Sequence, residues 1–162
     1  MRRAAPALAL VGVLLSAAAC GTARGPEPGT PAAPAPAAAS ADPAQAQSRA
    51  LCETLGQVYS KHLGPFAEAL SATVEGGTAA REETAQKQAR QQLTGLADAI
   101  VEATRANPDA QVQADGAKAA EQLRKASADD KFFRDVRSAE DVNTVVGTTM
   151  QTWIEPVARH CS

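Results

Sequence analysis

Apolar residues recur every three or four positions from Leu51 to Val157, and no stretch alternates β-branched with polar side chains. That period belongs to an α-helix and not to a strand, so such a chain buries a core only by packing helices on one another. Composition agrees. Aromatic residues make up 3% of the chain, while Ala, Gln, Glu, Leu and Arg, all good helix formers, dominate beyond Gln47.

Four helical segments follow from the periodicity and its punctuation. Leu51, Leu55, Val58, Tyr59, His62, Leu63, Phe66, Leu70 and Val74 define the face of the first. Gly64-Pro65 should kink or break it, because proline lacks the backbone donor and clashes with the preceding turn. Gly76-Gly77 ends it, and Thr78 is the expected N-cap of the second. The second carries Ala85, Ala89, Leu93, Leu96, Ile100, Val101 and Thr104 on one side. Asn107-Pro108 should close it and open the third, with Asn107 as cap and Pro108 at the first helical position. The third stripe, Val112, Gly116, Ala119, Ala120, Leu123 and Ser127, is thin, which favours close helix approach over area burial. A short piece with Phe132, Phe133 and Val136 follows. Ser138-Ala-Glu-Asp141 then reads as a capped start for the last helix, with acids well placed on its dipole. Val142, Val145, Val146, Thr149, Trp153 and Val157 continue that helix, with a late kink expected at Pro156.

Ahead of this region the chain changes character. Met1-Arg2-Arg3 is a short positive start, and Ala4 to Ala19 is uncharged and ends in the small residues Ser16-Ala-Ala-Ala19 before Cys20-Gly21. A run of about sixteen residues is short for a membrane span but suits a cleavable export signal. Small residues followed by Cys-Gly resemble the lipobox of bacterial lipoproteins, with Ala17 standing where that family usually has Leu. The resemblance covers residues 1–21. It implies a signal peptide at 1–19, and cleavage that leaves Cys20 as the diacylglycerol-linked N-terminus. It also implies a protein held by membrane lipid at the outer face of the cytoplasmic membrane. Residues 20–47 then read as a linker rich in Ala and Pro (Pro26, Pro28, Pro31, Pro34, Pro36, Pro43), a composition similar to envelope lipoproteins of high-GC bacteria. With almost no large apolar side chain, it cannot offset chain entropy by burial. At ~3.1 Å per residue it would reach on the order of 80 Å. Residues 48–162 form the expected folded domain, of ordinary single-domain size.

With Cys20 assigned to lipid, Cys52 and Cys161 remain as an even pair in an oxidising compartment, and one disulfide is the expectation. Cys52 lies near the start of the first helix and Cys161 at the end of the last. An up-down-up-down four-helix bundle puts those points at the same end, whereas three helices would separate them.

Several function classes fall away at this stage. From Arg49 onward, 13 Lys and Arg interleave with 16 Asp and Glu, so no basic stripe offers itself to nucleic acid. The chain carries no H-E-x-x-H, G-x-S-x-G or Walker-type glycine loop, and no metal-spaced Cys/His cluster. Glu82-Glu83 and Asp129-Asp130 sit at helix starts or loops, as caps and solvated charge. A non-catalytic binding or interaction module, without cofactor or metal, is the expectation.

Two constellations are candidates for binding. In antiparallel register, Tyr59 and His62 should lie level with Met150 and Trp153. Together they form either a small-ligand pocket or a hydrogen-bonded core layer. The Tyr59 and His62 pairing within a disulfide-closed helical build is similar to small secreted haem-carrier proteins of actinobacteria, and that resemblance implies haem as the alternative ligand. The second candidate is the segment at the far end from Cys52, where Lys131, Arg134 and Arg137 flank Phe132 and Phe133. It reads either as a docking patch for an envelope protein or as a lid, with its rings inward and its charges solvated.

Overall fold

A computed structural model describes residues 42–162, and the expected signal segment 1–19, Cys20 and the expected linker up to residue 41 lie outside the described residues. All regular structure among the described residues is helical: α1 Pro43–Val74, α2 Ala79–Arg105, α3 Ala110–Ala128, α4 Asp130–Asp135, α5 Ala139–Thr144 and α6 Met150–Ala158. A π-helical turn, Val145–Thr149, joins α5 to α6, and a 3-10 turn, Arg159–Cys161, ends the chain. Helix α1 packs on α2, α2 on α3 and α3 on α6, and the final turn returns to α1. There Cys52 and Cys161 form the disulfide, with their Cα atoms 5.5 Å apart. None of the described helices is long and apolar enough to cross a membrane.

The expected four helices therefore meet a chain whose last quarter is divided into short pieces. The π turn shows why. On the buried face of the last leg, Val142, Val145, Met150 and Val157 are in the core. Met150 lies five positions after Val145, a spacing that a regular α-helix would turn away from the core. Widening one turn to the π form returns Met150 to it. Thr149 and Trp153, which a strict three-and-four spacing would bury, are only partly covered.

Other boundaries also moved. Helix α1 begins at Pro43, inside the stretch read as linker, because Asp42 caps it by accepting from Ala44 N at 3.0 Å. Proline is well tolerated at the first helical position, where its missing N–H has no partner to lose. The helix then runs through Gly64-Pro65 without the expected break. Leu51 and Leu55 on one side of Pro65, and Phe66 and Leu70 on the other, are all buried in one core, and that shared burial outweighs the single lost backbone bond. Gly76, at φ 78°, ends the excursion in the left-handed region that glycine enters without steric cost.

At α2 the residue before the helix is Thr78, as expected, but its side chain makes no capping bond, and its carbonyl accepts from Arg81 N and Glu82 N instead. Helix α3 starts two residues later than Pro108 suggests. Asn107 Oδ1 accepts from Asp109 N at 2.9 Å, which makes a local turn, and Asp109 itself caps the helix through Gln111 N at 2.8 Å. Ser138 does cap α5: its hydroxyl accepts from Asp141 N, while Asp141 accepts from Arg137 N and the Ser138 hydroxyl.

The small-residue stripe on α3 brings α2 and α3 close together. A methyl group added at Gly116 would lie 2.2 Å from Thr104 Oγ1. Thr104 is fully buried, and its hydroxyl is satisfied by donating to Ile100 O one turn back at 2.9 Å.

Candidate functional site

Three groups of side chains stand out, and the sequence pointed to two of them. The first is the Tyr59 and His62 layer. Both residues lie on α1 and are half-buried against the core. His62 faces α2, where Nδ1 donates to Gln92 Oε1 at 3.0 Å. Gly95 leaves room for the ring, since a methyl group there would sit 2.8 Å from His62 Cε1. Tyr59 carries its hydroxyl into a buried position without a hydrogen-bond partner. Burial pushes its phenol up to about 12, because the ionised form would lose water. Met150 is fully buried in the core, and the Trp153 ring centroid lies 5.3 Å from that of Phe132. As a haem site, the pair would present one free imidazole nitrogen and a phenol that resists ionisation. Among the described residues no three His, Cys, Asp or Glu side chains are placed to share a metal ion.

The second group is the segment around α4. Phe133 is buried, and the Arg90 guanidinium lies 4.2 Å from its ring centroid. The same Arg90 donates to Ser127 O and to Asp130 Oδ1, each at 2.6 Å. One side chain thus satisfies a terminal carbonyl of α3, pairs with α4 and covers the aromatic between them. Phe132 takes the other side. It meets Phe133 edge-on at 4.9 Å and Trp153 at 5.3 Å, and remains half-exposed.

A cleft of about 280 Å³ lies on one flank of Phe132, lined also by Gln122, Lys125, Ala126, Asp129 and Trp153. A second, of about 210 Å³, lies on the other flank, between α4 and the π turn, lined among others by Val136, Asp141, Val145 and Thr149. Of the charges expected here, Lys131 pairs with Asp135 at 2.7 Å, which raises the lysine and lowers the carboxyl. Arg137 Nε donates to Arg134 O. Arg134 borders a separate cleft with Glu82 and Glu83. Phe132 and Trp153 therefore form one surface, while Phe133 belongs to the core.

The third group escaped the sequence reading. Asp115 of α3 is buried, with 4% of its surface exposed. Its Oδ2 accepts from Arg159 Nη2 at 2.6 Å, His160 Nε2 at 2.9 Å and Gln111 Nε2 at 3.0 Å. The Arg159 bond, followed by those from Gln111 and His160, holds its carboxyl well below the ordinary range. A carboxyl depressed in the folded state stabilises it above the unfolded value near 3.8, and this contribution is lost as pH falls through the folded value. One signal was available: Asp115 falls between Val112 and Ala119 on the apolar stripe, where an unpaired acid would be costly. Arg159 and His160, more than forty residues away, carry no such mark.

Comparison with protein-family models, with curated proteins and with solved structures finds no match.

Proposed function

We propose that this chain is an exported lipoprotein, made with a signal peptide at residues 1–19 and anchored through acylated Cys20. Its helical domain acts at the outer face of the cytoplasmic membrane as a non-catalytic module that docks an envelope protein. The observation that carries this reading is Phe132, half-exposed between Phe133 and Trp153 with a cleft on each flank. An aromatic already held in place loses little rotamer freedom on binding, and aromatic anchors of this kind dominate protein interfaces. Lys131, Arg134 and Arg137 would form the polar rim. Domain topology is read as an up-down-up-down four-helix bundle whose last leg is broken, supported by the sequential packing of α1, α2 and α3 and the return of the last leg through α6.

The test uses the full chain in its own membranes, with a photo-crosslinking residue in place of Gln122 at the cleft rim. Phe132→Ala and Trp153→Ala should each reduce the crosslinked envelope protein at least tenfold, while Lys61→Ala on the exposed face of α1 should not. Equal capture by all three variants would reject the docking surface. Cys20→Ser should release the chain from the membrane fraction.

One observation favours a second reading, small-ligand carriage with haem as the candidate: the buried Tyr59 hydroxyl has no partner. On that reading, haem titration gives a Soret shift that Tyr59→Ala and His62→Ala abolish. An unchanged Soret band rejects it.

A further inference from the structure

Among the described residues, Asp115 is the one charged side chain within the buried set. A carboxylate out of water is stable only when its lone pairs are taken up, and removing a partner leaves an uncompensated charge. Here one partner, Gln111, comes from the same helix, and the other two come from the final turn of the chain. The docked position of Arg159 and His160 is thus a condition for burying Asp115. Cys161 is the next residue, and Cys52 Sγ lies 3.8 Å from His160 O. A single turn, Arg159–Cys161, is therefore held from two sides, by the carboxylate on α3 and by the sulfur on α1.

The two attachments are chemically independent. The hydrogen bonds to Asp115 run through Arg159, His160 and Gln111 and involve neither sulfur atom. We infer that Asp115 is a positioning residue for the disulfide: its carboxylate clasps Arg159 and His160, keeping the Cys161 thiol beside Cys52 before the bond forms and after it is reduced. The clasp replaces a search through a loop of 109 residues by a local encounter. Oxidation by a low-molecular-weight disulfide then balances simply. The thiolate of one cysteine attacks that reagent, releasing one thiol and leaving a mixed disulfide. The second cysteine attacks the mixed disulfide, releasing the second thiol and closing Cys52–Cys161. Asp115 takes no part in either exchange. It raises the effective concentration of one sulfur at the other in the second step, and so favours the closed product.

The experiment equilibrates the full chain, in detergent, with mixtures of reduced and oxidised glutathione. Free thiols are trapped, and the Cys52 and Cys161 peptides are quantified by mass spectrometry, which keeps Cys20 out of the measurement. Asp115→Asn should lower the equilibrium constant for disulfide formation at least fivefold relative to the unchanged chain. Arg159→Gln, which alters an exposed guanidinium and keeps α3 intact, should do the same, and it decides the matter alone should Asp115→Asn fail to fold. Asp98→Asn, which removes the surface pair of Asp98 with Arg124, should leave the constant within twofold. A folded clasp variant that changes it less than fivefold overturns the inference. So does an Asp98→Asn effect as large as that of the clasp variants, because the loss would then follow from general destabilisation.

Discussion

The two ends of this helical core are closed by different means. At the Cys52 end, one covalent bond and one buried carboxylate hold a single turn against α1 and α3. At the Phe132 end, closure is spread over many weak contributions: the Arg90 bonds, the edge-on and tilted rings, the Ser138 cap and the exposed Lys131–Asp135 pair. Helices α4 and α5 are six residues each, far below the length at which a helix is stable alone. They persist because Phe133, Val136 and Val142 are buried beneath them. The first end resists opening through constraint and the high cost of stranding a charge. The second rests on contacts that can give way one at a time, a property that would suit the docking surface proposed above.

The sharpest way to break this contrast is to remove the covalent closure. With the cysteines 109 positions apart in the chain, Cys52→Ser should cost about 4–5 kcal/mol in the chain-entropy account of disulfides. Urea unfolding would measure it. A loss of less than about 1 kcal/mol would mean that the bond adds little to what packing already enforces.

Gly116→Ala tests the closeness of α2 and α3 near the same end. Its added methyl group would meet buried Thr104 at 2.2 Å, so the helices must separate, at about 1–3 kcal/mol by the usual cost of overpacking. An unchanged thermal midpoint would show that Thr104 can rotate away.

The smallest effect belongs to the Phe132 end. Ser138→Ala removes one cap, worth about 1 kcal/mol. Hydrogen exchange should quicken in α4, α5 and the π turn while α3 keeps its protection. Equal quickening at Val112 and Leu123 would show that the two ends open as one unit.

How far the molecule could be read from its sequence differed between these ends as well. The stripes on α1, α2 and α3 were legible because long helices repeat their period many times, and Leu55, Leu93 and Leu123 are buried where that period puts them. The last leg was less legible. Its buried face steps five positions from Val145 to Met150, and only packing against α3 shows that the helix widens to follow it. Phe132 and Phe133 are adjacent and chemically identical, yet one is core and the other is surface. Composition cannot divide them; the position of Arg90 does.

By itself, the sequence determined that residues beyond Gln47 are helical, because periodicity is a local property of a chain, and it pointed to the Cys52–Cys161 pair once the lipobox resemblance set Cys20 aside. Tertiary structure alone decided that Pro65 does not break α1, that a π turn divides the last leg, and that Asp115 is paired. Each of those outcomes depends on an energy shared between distant residues: burial on both sides of a proline, a core face across two helices, and one carboxylate solvated by the end of the chain.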